Sequence, residues 1–451
     1  MNRRTVAQLA RYGVFATLAI VLLATFRLYS FTYFWLDDFH CIYWVRREAF
    51  WRLLVWEVLN PASVSFRPLG MGVYWLLFRA AGLHPLPYHL VSWILHALNV
   101  GLLFLLLRRA TKSHYAAAVA VLFFAVRTNF ADIYWSFANI FQLLAFAFVL
   151  VGILLYIRFG YSLKETLILI AIYVLAIRAE EHAIVLPALW LAYEFLIRRT
   201  DWRQLLPRYS MLAIVGIWFA LFKISSMRAS DPTLPYYLDF SFLNLGRGYG
   251  WYFNALYQTN LPWAIWFIAS FLLACGFAYF KNWWALFFLL FTYATLLPFV
   301  LLVNHRFDLY LYLPFVGLAG LLGLVVQALL SQIRQFVPRQ ALPVVLSLLF
   351  LAIAVGQFRF EERRSHFGRA YSRGIADEYR SFFHDLRALA VNTSEKVLYY
   401  TKTPRHMDKG DVVTATQFAL ERIDVDAKIV DTCPAQGMCL EFRDGALYRL
   451  Q

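Results

Sequence analysis

Long apolar runs alternate with short basic stretches along most of the chain. A bilayer core about 30 Å thick takes about 20 apolar residues of helix to cross. On that measure the pattern predicts eleven spans, at 12–30, 88–107, 114–126, 133–157, 165–178, 182–197, 209–225, 262–280, 283–303, 309–330 and 341–357. The runs are continuously apolar rather than alternating, which argues against a transmembrane β-barrel. The opening MNRRTVAQLARYG leads into a long apolar run and lacks a small-residue cleavage motif. It reads as the start of a first span, not as a removed signal peptide.

Three segments break the pattern. The stretch 31–87 is long for a connector between bundle helices. Within it, residues 46–59 carry charges on one face and Trp51, Leu54, Val55 and Val58 on another, as a helix lying in the headgroup plane would. A moderately apolar stretch, 70–82, is expected to lie on or dip into the same surface. The stretch 226–262 is rich in Tyr, Asn, Gly and Pro and reads as a loop. Residues 358–451 are polar and long enough for a small domain. They predict a helix at 361–391, a strand at 396–400, a helix at 411–422, a strand at 427–431 and a hairpin-like piece at 437–450. The fold class expected is therefore an all-α polytopic membrane bundle, residues 1–357, with a small C-terminal α/β extramembrane domain, residues 358–451.

Composition sharpens this picture. Of the 451 residues 61% are apolar and only 15% charged, with 42 Phe, 27 Tyr and 15 Trp. That excludes a disordered chain, a collagen, a disulfide-dense secreted scaffold and a cytosolic enzyme. The net charge is +15. In a soluble protein it would point to nucleic acid. Here the basic residues cluster at span ends. With the N-terminus inside, the inner segments hold 15 Lys and Arg in 51 residues, and the outer segments up to 308 hold 10 in 110. That threefold bias obeys the positive-inside rule and places the three irregular segments outside. Cys433 and Cys439 then either form a disulfide in an oxidising compartment or remain free thiols in a reducing one.

Acidic groups beside a membrane are costly and mark function. Asp37-Asp38 stands just past the first span, among Phe34, Trp35, Leu36 and Phe39. A carboxylate in such surroundings is expected to become more basic and to accept a proton from an attacking hydroxyl or amine. The other reading is a hydrated acidic helix cap. Arg178, Glu180, Glu181 and His182 crowd a second outer turn. There the two acids either pair with Arg178 or line an outward cavity. The third group is Asn304 to Pro314. Arg306 can hold a phosphate bidentately, or it can anchor to headgroups with Tyr310 and Tyr312 in the aromatic belt. Arg67, Arg127 and Arg247 are further outer cations. His96 and Asn99 share a helix face, which suits hydrogen bonding between helices better than metal binding. No HExxH, phosphate loop or GxSxG occurs. The sequon Asn392-Thr393-Ser394 is the sole glycosylation signal. Three polar clusters from distant parts of the chain thus fall on one membrane face, as a lipid-linked anionic substrate requires.

The ordered set of motifs resembles the GT-C-fold glycosyltransferases that use polyprenyl-phosphate sugars, among them protein O-mannosyltransferases and lipid A aminoarabinose transferases. Asp37-Asp38-Phe39-His40 is similar to the acid pair, one residue, then His of the O-mannosyltransferases. Phe66-Arg67-Pro68-Leu69 resembles the next segment, and Tyr88-His89-Leu90 through His96 and Asn99 the helix after it. Arg178 to Glu181 followed by Leu186-Pro187 resembles a Lys-Glu hairpin, and Arg306 to Pro314 a late Arg, Tyr-Leu-Tyr, Pro run. The resemblance covers about residues 10–330. It implies inverting transfer with Asp37 and Asp38 as catalytic residues, Asp37 being the general base. It implies Arg306 and Arg67 as phosphate contacts, and His40, Glu180, Glu181 and Tyr310 as further substrate-site residues. It implies no metal and no cofactor. The partners implied are a polyprenyl-phosphate-linked sugar donor, a glycan, lipid or protein acceptor, and the bilayer, with no nucleic acid. An inner-membrane protein with a periplasmic active site and C-terminal domain is expected. Three departures stand out: Ala179 separates Arg178 from Glu180 where relatives have adjacent Lys-Glu, His305 precedes Arg306 where eukaryotic relatives have Glu, and the C-terminal domain is unlike the tetratricopeptide or beta-trefoil domains of some relatives. The competing readings are a transporter or flippase for a lipid-linked saccharide, which would need no carboxylate base, and a non-catalytic scaffold.

Overall fold

A computed structural model describes residues 3–29, 32–34, 37–59, 67–127, 129, 132–227, 233, 237–338, 341–390, 393–407, 409–422 and 424–450. Trp35, Leu36, Phe66 and Asn392, named above, lie outside the described residues. The chain is mostly helical, with one small sheet near the C-terminus.

Six helical stretches are long and apolar enough to cross a bilayer: Pro85–Thr111, Phe137–Arg158, Trp202–Leu221, Trp283–Val300, Phe315–Ile333 and Leu342–His366. Three shorter apolar stretches, Tyr12–Phe26, His114–Ala125 and Trp263–Tyr279, match predicted spans as well. The run at 165–178 is the helix Leu163–Ala179. The run at 182–197 is built of three pieces: a 3-10 turn Glu181–Val185, an α-helix Leu186–Tyr193 and a π-helical turn Glu194–Arg198. By length and composition these last elements do not qualify as crossings.

Local chemistry explains the boundaries. Pro lies in the first turn of Pro85–Thr111, where its missing N–H costs nothing. Lys112 then turns left-handed and Ser113 caps His114–Ala125 by accepting from the Ala116 N–H. Ser162 and Glu165 form a reciprocal capping box at Leu163–Ala179. His114–Ala125 is buried among its neighbours along most of its length. Ala116, Ala117, Ala118, Ala120 and Ala125 are all fully buried, and such small side chains let neighbouring helices approach closely. At the periphery, Trp263–Tyr279 buries no residue. Its exposed Ile268, Phe271 and Leu272 need an apolar solvent.

The helices expected within 31–87 are present with changed bounds, and the stretch 226–262, read as a loop, is partly helical. The stretch 31–87 folds as the helices Asp37–Arg47 and Pro68–Ala81 with a π-helical turn, Arg52–Trp56, between them. The helix predicted at 46–59 is broken at Glu48 and Ala49, where the Glu48 carbonyl leaves the helical ladder and accepts from Trp75 Nε1 (3.0 Å). Trp51, Val55 and Leu59 nevertheless project as an exposed apolar row. The stretch 226–262 contains the helix Phe242–Tyr257.

One helix of 49 residues, Leu342–Ala390, runs out of the bundle and through position 357, the predicted domain edge. Beyond it come β1, Val397–Lys402; a helix, Lys409–Ala419; β2, Asp426–Ile429; β3, Cys439–Arg443; and β4, Ala446–Arg449. The sheet order is β2-β1-β3-β4. Strand β1 pairs parallel with β2 and β3, and β3–β4 is an antiparallel hairpin. Alternate residues Leu398 and Tyr400 point inward. They meet Phe382 and Leu386 of the long helix and Val412 and Ala415 of the shorter one in a common core. Cys433 and Cys439 are disulfide-bonded.

Candidate functional site

The site is built around the first turn of the helix Asp37–Arg47. This helix packs under the C-terminal domain: Phe39 stacks on Phe383 at 6.0 Å, and Arg46 donates to the Glu421 carbonyl (3.3 Å). Two adjacent acids at a helix start meet the positive end of its dipole. Their side chains diverge. Asp38 is 1% exposed, whereas Asp37 is exposed. Asp38 Oδ1 accepts from the Tyr74 hydroxyl and from the Ala138 N–H, each at 2.7 Å. The burial expected for the pair therefore falls on Asp38. Tyr74 is itself wedged against Phe137 (4.7 Å) and Tyr88 (6.1 Å). Burial, and then the charge of Asp38, push its hydroxyl pKa well up, so it stays a donor. The Cys41 thiol, one turn along, is also pushed up, by burial first and then by Asp37 and Asp38.

Arg67 immediately precedes the helix Pro68–Ala81. Its Nη2 lies 2.7 Å from Glu180 Oε1 and its Nε 3.2 Å from Glu181 Oε2. Its guanidinium also covers the Phe141 ring at 5.3 Å. The two acids of the turn at 178–182 thus hold Arg67. Arg178, the other candidate partner, is buried and donates to the Glu57 carbonyl. Gly70 makes the approach possible, since a Cβ there would fall 2.1 Å from the Phe141 ring.

The Asn304–Pro314 segment meets this cluster through His305. Burial lowers the His305 pKa, the charge of Arg67 lowers it further and Asp37 opposes both. Asp37 and Arg67, from two distant chain segments, therefore both act on His305 in a third. The His305 ring contacts Phe307 (4.7 Å) and Tyr310 (5.9 Å), and Tyr310 stacks on Phe299 at 4.1 Å. Arg306 turns the other way. Its Nη2 donates to Asn244 Oδ1 (2.7 Å), and Asn244 Nδ2 donates to the Asp239 and Val300 carbonyls. Arg247, one turn beyond Asn244, is exposed, and its charge acts on Arg306. Two cations from separate elements thus stand together beside the His305 segment.

Of the residues singled out from the sequence, the structure brings together Asp37, Asp38, Arg67, Glu180 and Glu181, with Tyr310 reached through His305. Arg306 belongs to an adjoining cationic group with Arg247. His40 is exposed and makes no side-chain hydrogen bond or ion pair among the described residues. Sequence reading assigned no role to Tyr74, Ala138 or His305. No periodicity marks an anchor for Asp38, and only its place directly before Arg306 drew attention to His305. Among the described residues no group of three or more His, Cys, Asp or Glu side chains is placed to hold a metal ion.

No protein-family profile matches the chain, and no curated protein matches it either. Among solved structures it is similar to the crystal structure of ArnT from Cupriavidus metallidurans bound to undecaprenyl phosphate. The two share 13% identity over 95% of this chain and 92% of that chain, with a TM-score of 0.45.

Proposed function

We propose that this protein is a membrane glycosyltransferase of GT-C-like architecture, with about eleven crossings. It moves a sugar from a polyprenyl-phosphate donor to an acceptor at the outer face of the membrane. The observation that carries the reading is the division of the acid pair. Asp38 is buried and held by two donors. Asp37, next to it, is exposed, and its charge, like that of Arg67, acts on His305. A base must be free to meet its substrate, and a neighbour that fixes the helix start keeps that base in place.

The acceptor O–H or N–H gives its proton to the Asp37 carboxylate while the acceptor atom attacks the anomeric carbon. The bond from that carbon to the phosphate oxygen breaks on the opposite face, so configuration inverts. The electron pair leaves on the polyprenyl phosphate. Charge growing on that phosphate is met by Arg306 and Arg247, since positioned cations stabilise a developing anion. Arg67 is already shared between Glu180 and Glu181, so its part is to set the potential around Asp37 and the donor phosphate. Tyr310 and His40 flank the sugar. The lipid tail remains in the bilayer, in an inner membrane with the site and residues 358–451 on the periplasmic side. No metal or cofactor enters this chemistry.

The test uses membranes carrying the full chain and a labelled polyprenyl-phosphate sugar. Asp37→Asn should insert normally and transfer at least a hundredfold more slowly, a loss typical of a removed general base. Transfer within threefold of the parent would end the reading. A transporter of a lipid-linked saccharide would keep its activity in that variant.

A further inference from the structure

The end of the bundle that carries the C-terminal domain has a second cationic feature. A cavity of about 550 Å³ is lined by Gln258, Gly356, Arg359, Phe360, Arg363 and Arg364. It shares no residue with the Asp37 cluster. One of its three cations is committed. Arg364 donates to Asn129 Oδ1 (3.1 Å), lies 3.9 Å from Glu361 and is met at 2.6 Å by the Gln258 amide oxygen turned toward it. Glu361 is in turn held by Arg127 at 3.3 Å. Arg359 and Arg363, one helical turn apart, are exposed and have no ion pair or side-chain hydrogen bond among the described residues. Glu362 lies between them in sequence and pairs with neither.

What lies below the cavity identifies its ligand. Val344, Leu348, Leu351 and Val355 follow one another at helical spacing toward Arg359. All four are exposed, Leu348 at 63%, and Phe360 at the cavity is 55% exposed. A Cβ on Gly356 would meet nothing within 4 Å, so the wall is open there. An exposed apolar stripe that ends in two guanidiniums with no ion pair among the described residues complements an amphiphile. Its chains lie on the stripe and its phosphate sits between the forks of the arginines.

We propose that this cavity binds the phosphate of an anionic phospholipid from the surrounding leaflet. The separation of its lining from the Asp37 cluster favours a resident lipid over the transferred one. The test is native mass spectrometry on the purified full chain, titrated in parallel with phosphatidylglycerol, phosphatidylcholine, polyprenyl phosphate and inorganic phosphate. Phosphatidylglycerol should bind, and R359Q/R363Q should weaken it at least tenfold. K409Q/K428Q removes equal charge from the C-terminal domain and should change binding by less than twofold. Leu348→Ser/Leu351→Ser supplies a second readout should the arginine variant fold poorly: phosphatidylglycerol should weaken severalfold and inorganic phosphate should not. Equal binding of phosphatidylcholine, or indifference to R359Q/R363Q, overturns the proposal. Inorganic phosphate binding as tightly as the lipid removes the lipid from it. Tighter, arginine-dependent binding of polyprenyl phosphate overturns the phospholipid assignment.

Discussion

Neighbouring aspartates that look alike in the sequence are asked for different things by their surroundings. Removing Asp38 with D38A takes the acceptor from the buried Tyr74 hydroxyl and leaves the part-buried Ala138 N–H only its 3.3 Å bond to Ser136 Oγ. An unsatisfied buried group costs about 1–3 kcal/mol, so D38A should lower both the melting temperature and transfer. D37A removes an exposed side chain; its stability should stay within about 0.5 kcal/mol of the parent while transfer collapses. Thermal melts of the two purified variants beside the transfer assay check the contrast. His305 gives an independent probe of the same cluster. Burial and Arg67 hold its pKa below the ordinary histidine value, and Asp37 pulls it up. Arg67→Gln should therefore raise the His305 titration midpoint and Asp37→Asn should lower it, as read by NMR of labelled histidine in nanodiscs. A neutral folded-state imidazole whose pKa is depressed contributes stability above about pH 6.5. That contribution is lost as pH falls toward the folded value. The acids and cations themselves were legible because charge near apolar runs is conspicuous. Their pairing was not: Glu180 and Glu181 form ion pairs with the distant Arg67, while Glu181 also acts on Arg178, a link made by tertiary placement rather than by spacing.

At the scale of elements, apolar length and capping were readable, and glycine-rich helix was not. Gly246, Gly248 and Gly250 made 226–262 look like a loop, yet they lie in the helix Phe242–Tyr257. Glycine is there for close approach: a Cβ on Gly248 would sit 2.8 Å from Val300 Cβ and 2.9 Å from its carbonyl oxygen. The same contact brings Asn244 to the Val300 carbonyl and to Arg306. Gly248→Ala must push the helix away, at a cost of about 1–3 kcal/mol for overpacking. It should separate Asn244 from Arg306 and raise the KM for the polyprenyl-phosphate donor severalfold, with a smaller change in kcat. Steady-state kinetics at varied donor concentration test this; an unchanged KM would detach the Phe242–Tyr257 helix from donor binding. The interfacial helix at 46–59 was half legible. Its exposed apolar row survives, but the break at Glu48 depends on Trp75, which no local pattern announces.

For the whole molecule, the C-terminal fold could be read almost strand by strand, because alternation and turn residues are local signals. The join could not. A change from apolar to polar composition at 357 looks like a boundary, but backbone helicity does not require apolar residues, and Leu342–Ala390 continues through it. This helix therefore transmits the position of the bundle to the domain that packs on the Asp37–Arg47 helix. One buried ion pair sets its rotation against the bundle: Arg127, whose side chain is 15% exposed, and Glu361, at 2%. Gln357 also donates to Glu361, and Arg127 donates to the Leu256 carbonyl. Leaving one member of such a pair alone costs about 3–5 kcal/mol, whereas replacing both by apolar residues of similar size is near neutral. Glu361→Gln should thus lower the melting temperature and speed proteolysis of the segment after residue 390. Arg127→Met with Glu361→Leu should recover most of the stability. Transfer should follow the same order, falling in the single variant and returning in the double one. If the two variants lose activity equally, the charges themselves take part at the site. If neither changes proteolysis, the long helix is held to the bundle by its apolar contacts alone.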